Sequence, residues 1–111
     1  MIRRGEVWWA DPFRMGVSPW LTVSTDEANS YGAYVGVPVV AHPDDSLLAV
    51  GLGVDDPVSG ALAVEQVMQL RFRWFQRRAG HVTPLTLARV DAALQLLLGP
   101  VKEIGPGPLD L

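Results

Sequence analysis

Apolar positions come in short runs along most of this chain, each broken by glycine, proline or a polar cluster. After Gly5, the aromatic-rich run EVWWA (residues 6–10) predicts a first strand, ended by Asp11-Pro12. FRMGVS (residues 13–18) predicts a flexible loop. WLTVS (residues 20–24) predicts a second strand, with Pro19 acceptable only at its leading edge. DEANSYG reads as a turn. AYVGVPVV (residues 33–40) predicts a third strand in which Pro38 demands an edge, a bulge or the strand's end. HPDDS (residues 42–46) is a further turn, and LLAVGLGV (residues 47–54) a strand weakened by two glycines. After DDPVSG, the segment ALAVEQVMQL (residues 61–70) alternates enough for a strand, while Glu65, Gln66 and Met68 leave a helix open.

The period then changes. Thr83 suits an N-cap and Pro84 the first helical position, where its missing N–H costs nothing. Leu87, Val90, Leu94 and Leu97 recur at helical spacing with Ala93 beside them, and Gly99-Pro100 supplies the stop. The remainder, to Leu111, is too rich in glycine and proline to continue a helix and predicts a loosely held extension. Several strands and one strong C-terminal helix predict a mainly β, α+β fold: a small, partly closed antiparallel barrel covered by that helix. A single domain over residues 1–99 followed by a Gly/Pro-rich tail over 100–111 is the expected organisation.

Composition narrows the functional classes. At 111 residues and 12.1 kDa the chain has room for one core, and an apolar fraction of 49% with a mean hydropathy of +0.19 excludes intrinsic disorder. Nine basic residues against twelve acidic ones give a net charge of -3, so any polyanion site must be a local patch. Cysteine is absent, which removes disulfides and thiolate chemistry. No signal-peptide core or membrane span is visible, and a cytoplasmic protein is expected. His42 and His81 lie in no metal-binding arrangement, no glycine loop suits a phosphate and no serine sits in a nucleophile elbow. No cofactor or metal is expected.

One stretch stands against the acidic background. RFRWFQRR (residues 71–78) holds four of the nine basic residues, interleaved with Phe72, Trp74 and Phe75. Guanidinium groups pair with phosphate oxygens and exposed aromatics stack on unpaired bases, so Arg71, Arg73, Arg77 and Trp74 are candidates for binding single-stranded RNA. Equally, the aromatics are core and the arginines a solvated rim, or a clamp for an acidic protein segment. An extended strand here puts Arg71, Arg73 and Phe75 on one face and Phe72 and Trp74 on the other.

Taken in order, these pieces resemble the MazF/PemK family, the endoribonuclease toxins of toxin–antitoxin pairs. RRGEVWWADP (residues 3–12) is similar to the family opening, and Pro19–Val23 to its Pro-led second strand, with Asp26 and Asn29 after it. VGVPVV (residues 35–40) and VEQVMQL (residues 64–70) resemble later strands, and GHVTPLTLARVDAALQLLLG (residues 80–99) the ending with its Val-Asp-x-Ala-Leu helix. The resemblance implies a MazF/CcdB-like fold, an SH3-like barrel with added helices. It also implies a homodimer, a cognate antitoxin that blocks RNA along the dimer surface, and metal-independent cleavage of single-stranded RNA.

In that chemistry a ribose 2′-hydroxyl attacks the adjacent phosphodiester, which calls for a base, a positive charge for the phosphorane and a proton for the leaving oxygen. The family largely uses an Arg just before the strand-two proline and a Thr or Ser closing strand three. Here those positions hold Ser18 and Val40, and Met68 stands where another Arg is usual. Each lost donor costs about two to three orders of magnitude in rate unless replaced. Arg14, four residues before Ser18, and His42, two beyond Val40, are the candidate replacements, with Ser18 keeping a place in the catalytic set. The runner-up is a MazF-fold protein without nuclease activity that binds a protein partner, as CcdB-type toxins do. Some of Trp8, Trp9, Trp20 and Trp74 suit an interface better than a core.

Overall fold

The computed structural model describes residues 1–99, and the extension expected over residues 100–111 lies outside them. The strands are β1 (Glu6–Ala10), β2 (Ser18–Thr22), β3 (Tyr34–Val40), β4 (Ala49–Gly51), β5 (Ala61–Ala63), β6 (Met68–Leu70) and β7 (Phe75–His81). Helix α1 spans Asp26–Ser30 and helix α2 spans Pro84–Leu98. The sheet is antiparallel throughout, in the order β4-β5-β3-β2-β1-β7, with β6 also on β3. The expected α+β fold of an antiparallel sheet with a C-terminal helix is present, and among the described residues no ladder joins β4 to β7 to close the sheet into a full barrel.

Four expectations change. DEANSYG contains α1, not merely a turn: Thr25 Oγ1 accepts from Ala28 N at 3.1 Å, and Asp26 and Glu27 sit in the first turn, where the helix dipole favours acids. Five residues are too few to show a helical period. The strand expected over 47–54 shrinks to Ala49–Gly51. The segment 61–70 is two strands split by a 3-10 turn at Val64–Gln66. By the β5 register Glu65 would face Gly36, yet Met68 does, so that turn absorbs a three-residue shift. A second 3-10 turn at Phe72–Trp74 replaces the alternation expected there.

Pro38 shows how a central strand tolerates proline. Val35 O accepts from Val23 N, so alternation turns the backbone polar groups of Pro38 toward the other edge of β3. There β6 has ended at Gly36 and β5 begins at Val39, and no donor is needed.

The sheet has two apolar faces. Val7, Leu21, Val37, Leu62 and Val64 pack beneath Val90 and Ala93 of α2, the helix whose boundaries the sequence predicts. The opposite face carries Ile2, Ala10, Trp20, Tyr34 and Leu70, with Trp8, Trp74 and Phe75 packed against them. Thr83 caps α2 by accepting from Thr86 N at 3.2 Å. Asp56 locks that cap, accepting from Thr83 N at 2.8 Å, Thr86 Oγ1 at 2.8 Å and Gly53 N at 2.7 Å. Burial pushes the Asp56 carboxyl up, but the Gly53 and Thr83 amides and the threonine hydroxyls outweigh it and hold the group below the usual carboxylate range.

Several residues that carry the family resemblance are structural ties. Arg4 Nη2 reaches both carboxylate oxygens of Asp91 on α2 at 2.5 Å, and Arg4 Nη1 donates to Val23 O at 2.7 Å. Arg4 N donates to Asp26 Oδ1 at 2.8 Å. Asn29 is buried against Ser24, whose hydroxyl also accepts from Val35 N at 3.0 Å. Gly5 has φ +88°, and a Cβ there would lie 2.5 Å from the His81 ring. One arginine, one asparagine and one glycine thus join the chain opening, α1 and the sheet.

Candidate active site and nucleic-acid interface

Strand register gathers the candidate residues at one end of the sheet. Ala10, the last residue of β1, pairs with Ser18 on one side and Phe75 on the other. The β2–β3 register pairs Trp20 with Pro38, and continuing it brings Ser18 opposite Val40. The loop with Arg14 leaves from Ala10, and the loop with His42 leaves from Val40. Asp11 N donates to Trp74 O at 3.1 Å, which ties the turn containing Arg73 to the start of the Arg14 loop.

Asp11 shapes that loop. Its Oδ1 accepts from Met15 N at 3.0 Å, and Arg14 inside this hook has φ 57°. The left-handed region is uncommon for a residue with a Cβ, so the hook holds a backbone arrangement that arginine does not prefer. Arg14 is exposed, and its side chain has no hydrogen bond among the described residues. Phe13, Met15 and Val17 are exposed around it.

Ser18 is oriented by its neighbour two residues on. Its Oγ accepts from Trp20 Nε1 at 3.1 Å, which leaves the hydroxyl hydrogen free to donate elsewhere. Val40 is half-buried, and Met68 packs against the aromatic face. His42 is exposed at the head of a 3-10 turn (Pro43–Asp45) and makes no side-chain capping bond. Asp44 and Asp45 follow it on the same turn, so this side of the site is acidic.

The His42 loop is gripped from its far side by Glu65, which accepts from Ser46 Oγ at 2.5 Å and from Leu47 N and Leu48 N at 3.1 Å. The Ser46 hydroxyl, helped by those amides, holds the Glu65 carboxyl down at about 2. A lowered folded-state pKa stabilises fully above the ordinary glutamate value, and that contribution is lost as pH falls through the folded value. The grip should therefore hold above about pH 4.5 and weaken toward pH 2. Amide exchange at Leu47 and Leu48 is expected to lose protection selectively across that window in the parent, and Glu65→Gln should show weakened protection with little further pH dependence.

The basic stretch divides by role. Arg78 Nε donates to Glu6 Oε2 at 2.5 Å, so this arginine is committed to the fold. Arg71, Arg73 and Arg77 are exposed without a carboxylate partner among the described residues. Trp74 is half-buried against the aromatic face, while Phe72 is exposed with its ring 6.1 Å from that of Tyr34. The Arg77 guanidinium lies over Trp9, 5.4 Å from the ring centroid. Sequence reading placed Trp9 only among four tryptophans of which some suit an interface, and gave Asp11 and Glu65 no role in the site. The aspartate was visible as a turn former, but the other two depend on partners distant in sequence.

Among the described residues no group of three or more His, Cys, Asp or Glu is arranged to hold a metal ion, and no helix is long and apolar enough to cross a membrane.

Comparison with known proteins places the chain in a family. The family described as the PemK-like, MazF-like toxin of type II toxin–antitoxin systems matches residues 3–98. The chain is 30% identical over 97 residues to endoribonuclease MazF4 of Mycobacterium tuberculosis, covering 86% of this chain and 91% of that protein, and equally to endoribonuclease MazF1 of Mycobacterium bovis. A mycobacterial endoribonuclease solved in complex with its cognate antitoxin superposes with a TM-score of 0.82 at 28% identity, covering 89% of this chain and 96% of the other. MazF of Deinococcus radiodurans, solved with MazE, gives 0.76 at 25% identity, over 88% of this chain and 95% of that one. The chain belongs to the MazF/PemK family.

Proposed function

We propose that this chain is the toxin of a type II toxin–antitoxin pair and cleaves single-stranded RNA without a metal ion. The observation that carries the reading is the strand register, which sets Ser18 opposite Val40 and starts the Arg14 and His42 loops from the same end of the sheet. The Ser18 hydroxyl, with its acceptor side taken by Trp20, donates to a phosphate oxygen. Arg14 swings over the same phosphate and supplies the charge that serine lacks. His42 exchanges the proton, an imidazole being the side chain suited to transfer near neutral pH. The ribose 2′-oxygen bonds to phosphorus, the bond to the 5′-oxygen breaks, and the products are a cyclic phosphate and a 5′-hydroxyl.

Arg71, Arg73 and Arg77 bind the single strand, with Trp74 behind them as part of the aromatic wall. The protein works as a homodimer and is silenced by a cognate antitoxin, in keeping with the relative solved with its antitoxin. Purified protein incubated with a long single-stranded RNA in excess EDTA is expected to yield fragments with 5′-hydroxyl ends. RNA left intact would overturn the nuclease reading and leave the family fold acting through a protein partner.

A further inference from the structure

We propose that Trp9 and Arg77 form a base-stacking step at the end of the sheet that carries the candidate active site, on the opposite face from Ser18, where the guanidinium, backed by the indole, takes the face of one unpaired nucleobase of single-stranded RNA. The inference rests on the RNA reading above and deepens it.

The step is built by register. Trp9 pairs with Pro19 on β2 and with Arg77 on β7, so the three residues form a row across neighbouring strands on one face of the sheet. The adjoining row toward the other end of the sheet is Leu21, Val7 and Gly80, where Leu21 and Val7 are fully buried in the core. The Trp9 row is therefore the solvent margin of that core. Ala10, the residue after Trp9, pairs with Ser18, so the row lies at the end of the sheet that carries the candidate active site but on the opposite face, Ala10 and Trp20 packing in the aromatic cluster.

Two irregularities in the β1–β7 ladder decide which side chains reach this margin. The register shifts between Val7 and Trp8 and again between Trp9 and Ala10. Such bulges re-aim side chains that strict alternation would place elsewhere. The second shift lets Phe75 face the aromatic cluster with Ala10, although Arg77, two residues on, pairs with Trp9. Arg78 is thereby delivered to Glu6 and Arg77 to the indole.

The other tryptophans are committed. Trp20 is 3% exposed and donates to Ser18. Trp74 lies in the aromatic wall. Trp8 meets Phe75 edge-on at 5.8 Å and donates to Glu6 Oε1. Trp9 alone has a surface cation over its ring, and that cation has no carboxylate partner among the described residues. A guanidinium held on an aromatic face keeps its charge and presents a delocalised plane, the surface that stacks on bases irrespective of sequence. Charge alone would need no indole. A lysine would neutralise a phosphate equally well but offers no plane.

The test separates stacking from charge. A labelled all-deoxy pyrimidine oligonucleotide, which lacks the attacking hydroxyl, and an abasic oligonucleotide of the same length are titrated against the parent, Arg77→Lys and Trp9→Ala by fluorescence anisotropy. Each protein is first checked by thermal unfolding. R77K is expected to bind the base-bearing strand about tenfold more weakly and the abasic strand as the parent does. W9A should follow the same pattern. Equal binding of the base-bearing strand by R77K and the parent would overturn the proposal, as would an equal loss on both strands, which would mean a phosphate contact only. Should the parent bind the two strands equally, stacking fails while RNA binding stands. A parent that binds neither strand would sink the RNA reading and the stacking step with it.

Discussion

Arg14→Ala is expected to lower cleavage of single-stranded RNA by about two to three orders of magnitude, the usual cost of removing one charge-stabilising donor from a phosphoryl centre. Its unfolding stability should stay within about 0.5 kcal/mol of the parent, as for other surface changes that remove no contact. The two halves of that expectation have separate origins. Arg14 is exposed and its side chain has no hydrogen bond among the described residues, so the fold has little to lose, whereas the position before Pro19 holds a neutral serine and the Ser18 loop offers the candidate site no other positive group. Arg14→Gly sharpens the contrast. Its φ of 57° costs an L-residue about 1–2 kcal/mol, which glycine relieves. Glycine gives back about 0.5–1 kcal/mol through the greater freedom of its unfolded chain. The variant should thus be as stable as the parent or slightly more so, and as inactive as R14A. Arg14→Lys should fall between, since it keeps the charge but not the forked donor pair. Single-turnover cleavage and urea unfolding of the three variants check both halves, and activity in R14A equal to the parent's would remove Arg14 from the mechanism.

How much of this was legible in the sequence depends on the range of the interaction. The strands β1, β2 and β3 and the helix α2 are written in local pattern: an apolar run with a punctuating proline or glycine, or a 3.6-residue stripe between Thr83 and Gly99. Helix α1 was invisible to periodicity because five residues make little more than one turn; its only signal was Thr25 followed by two acids. The split between β5 and β6 is likewise a tertiary fact, since β3 imposes it through two different registers.

The site follows the same rule. Arg14, Ser18 and His42 could be named as candidates because the resemblance marks the positions around Pro19 and the end of β3. The Trp9–Arg77 contact could not be, because adjacent tryptophans face opposite ways on a strand and sequence alone does not say which one meets the arginine. The Arg4–Asp91 pair spans 87 positions, and its two halves looked like separate family landmarks until the fold joined them. Residues that identify the family are therefore largely those that hold the scaffold.

Glu6 is the scaffold residue whose loss should cost most. It is 6% exposed, and every donor near it is used: Arg3 N at 2.7 Å and Trp8 Nε1 at 3.2 Å on one oxygen, Arg78 Nε at 2.5 Å on the other. Burial alone would raise its pKa, but these donors and the Arg78 charge more than offset that and hold it below the usual glutamate range. Glu6→Ala strands the Arg3 amide and the Trp8 indole N–H at once, and is expected to destabilise by about 2–4 kcal/mol. Arg78→Ala should cost less, about 1 kcal/mol, because the arginine is half-exposed and the carboxylate keeps its other two donors. Glu6→Gln lies between, since one of its amide ends must turn a donor toward a donor. The pH arm fixes the role of the charge itself. With a folded pKa below the ordinary 4.5, Glu6 contributes fully above that value and progressively less as pH falls beneath it. Urea unfolding at a series of pH values should show the gap between the parent and E6Q closing on acidification below about pH 4.5. A gap independent of pH would mean that Glu6 acts through its shape and hydrogen bonds, not its ionised form.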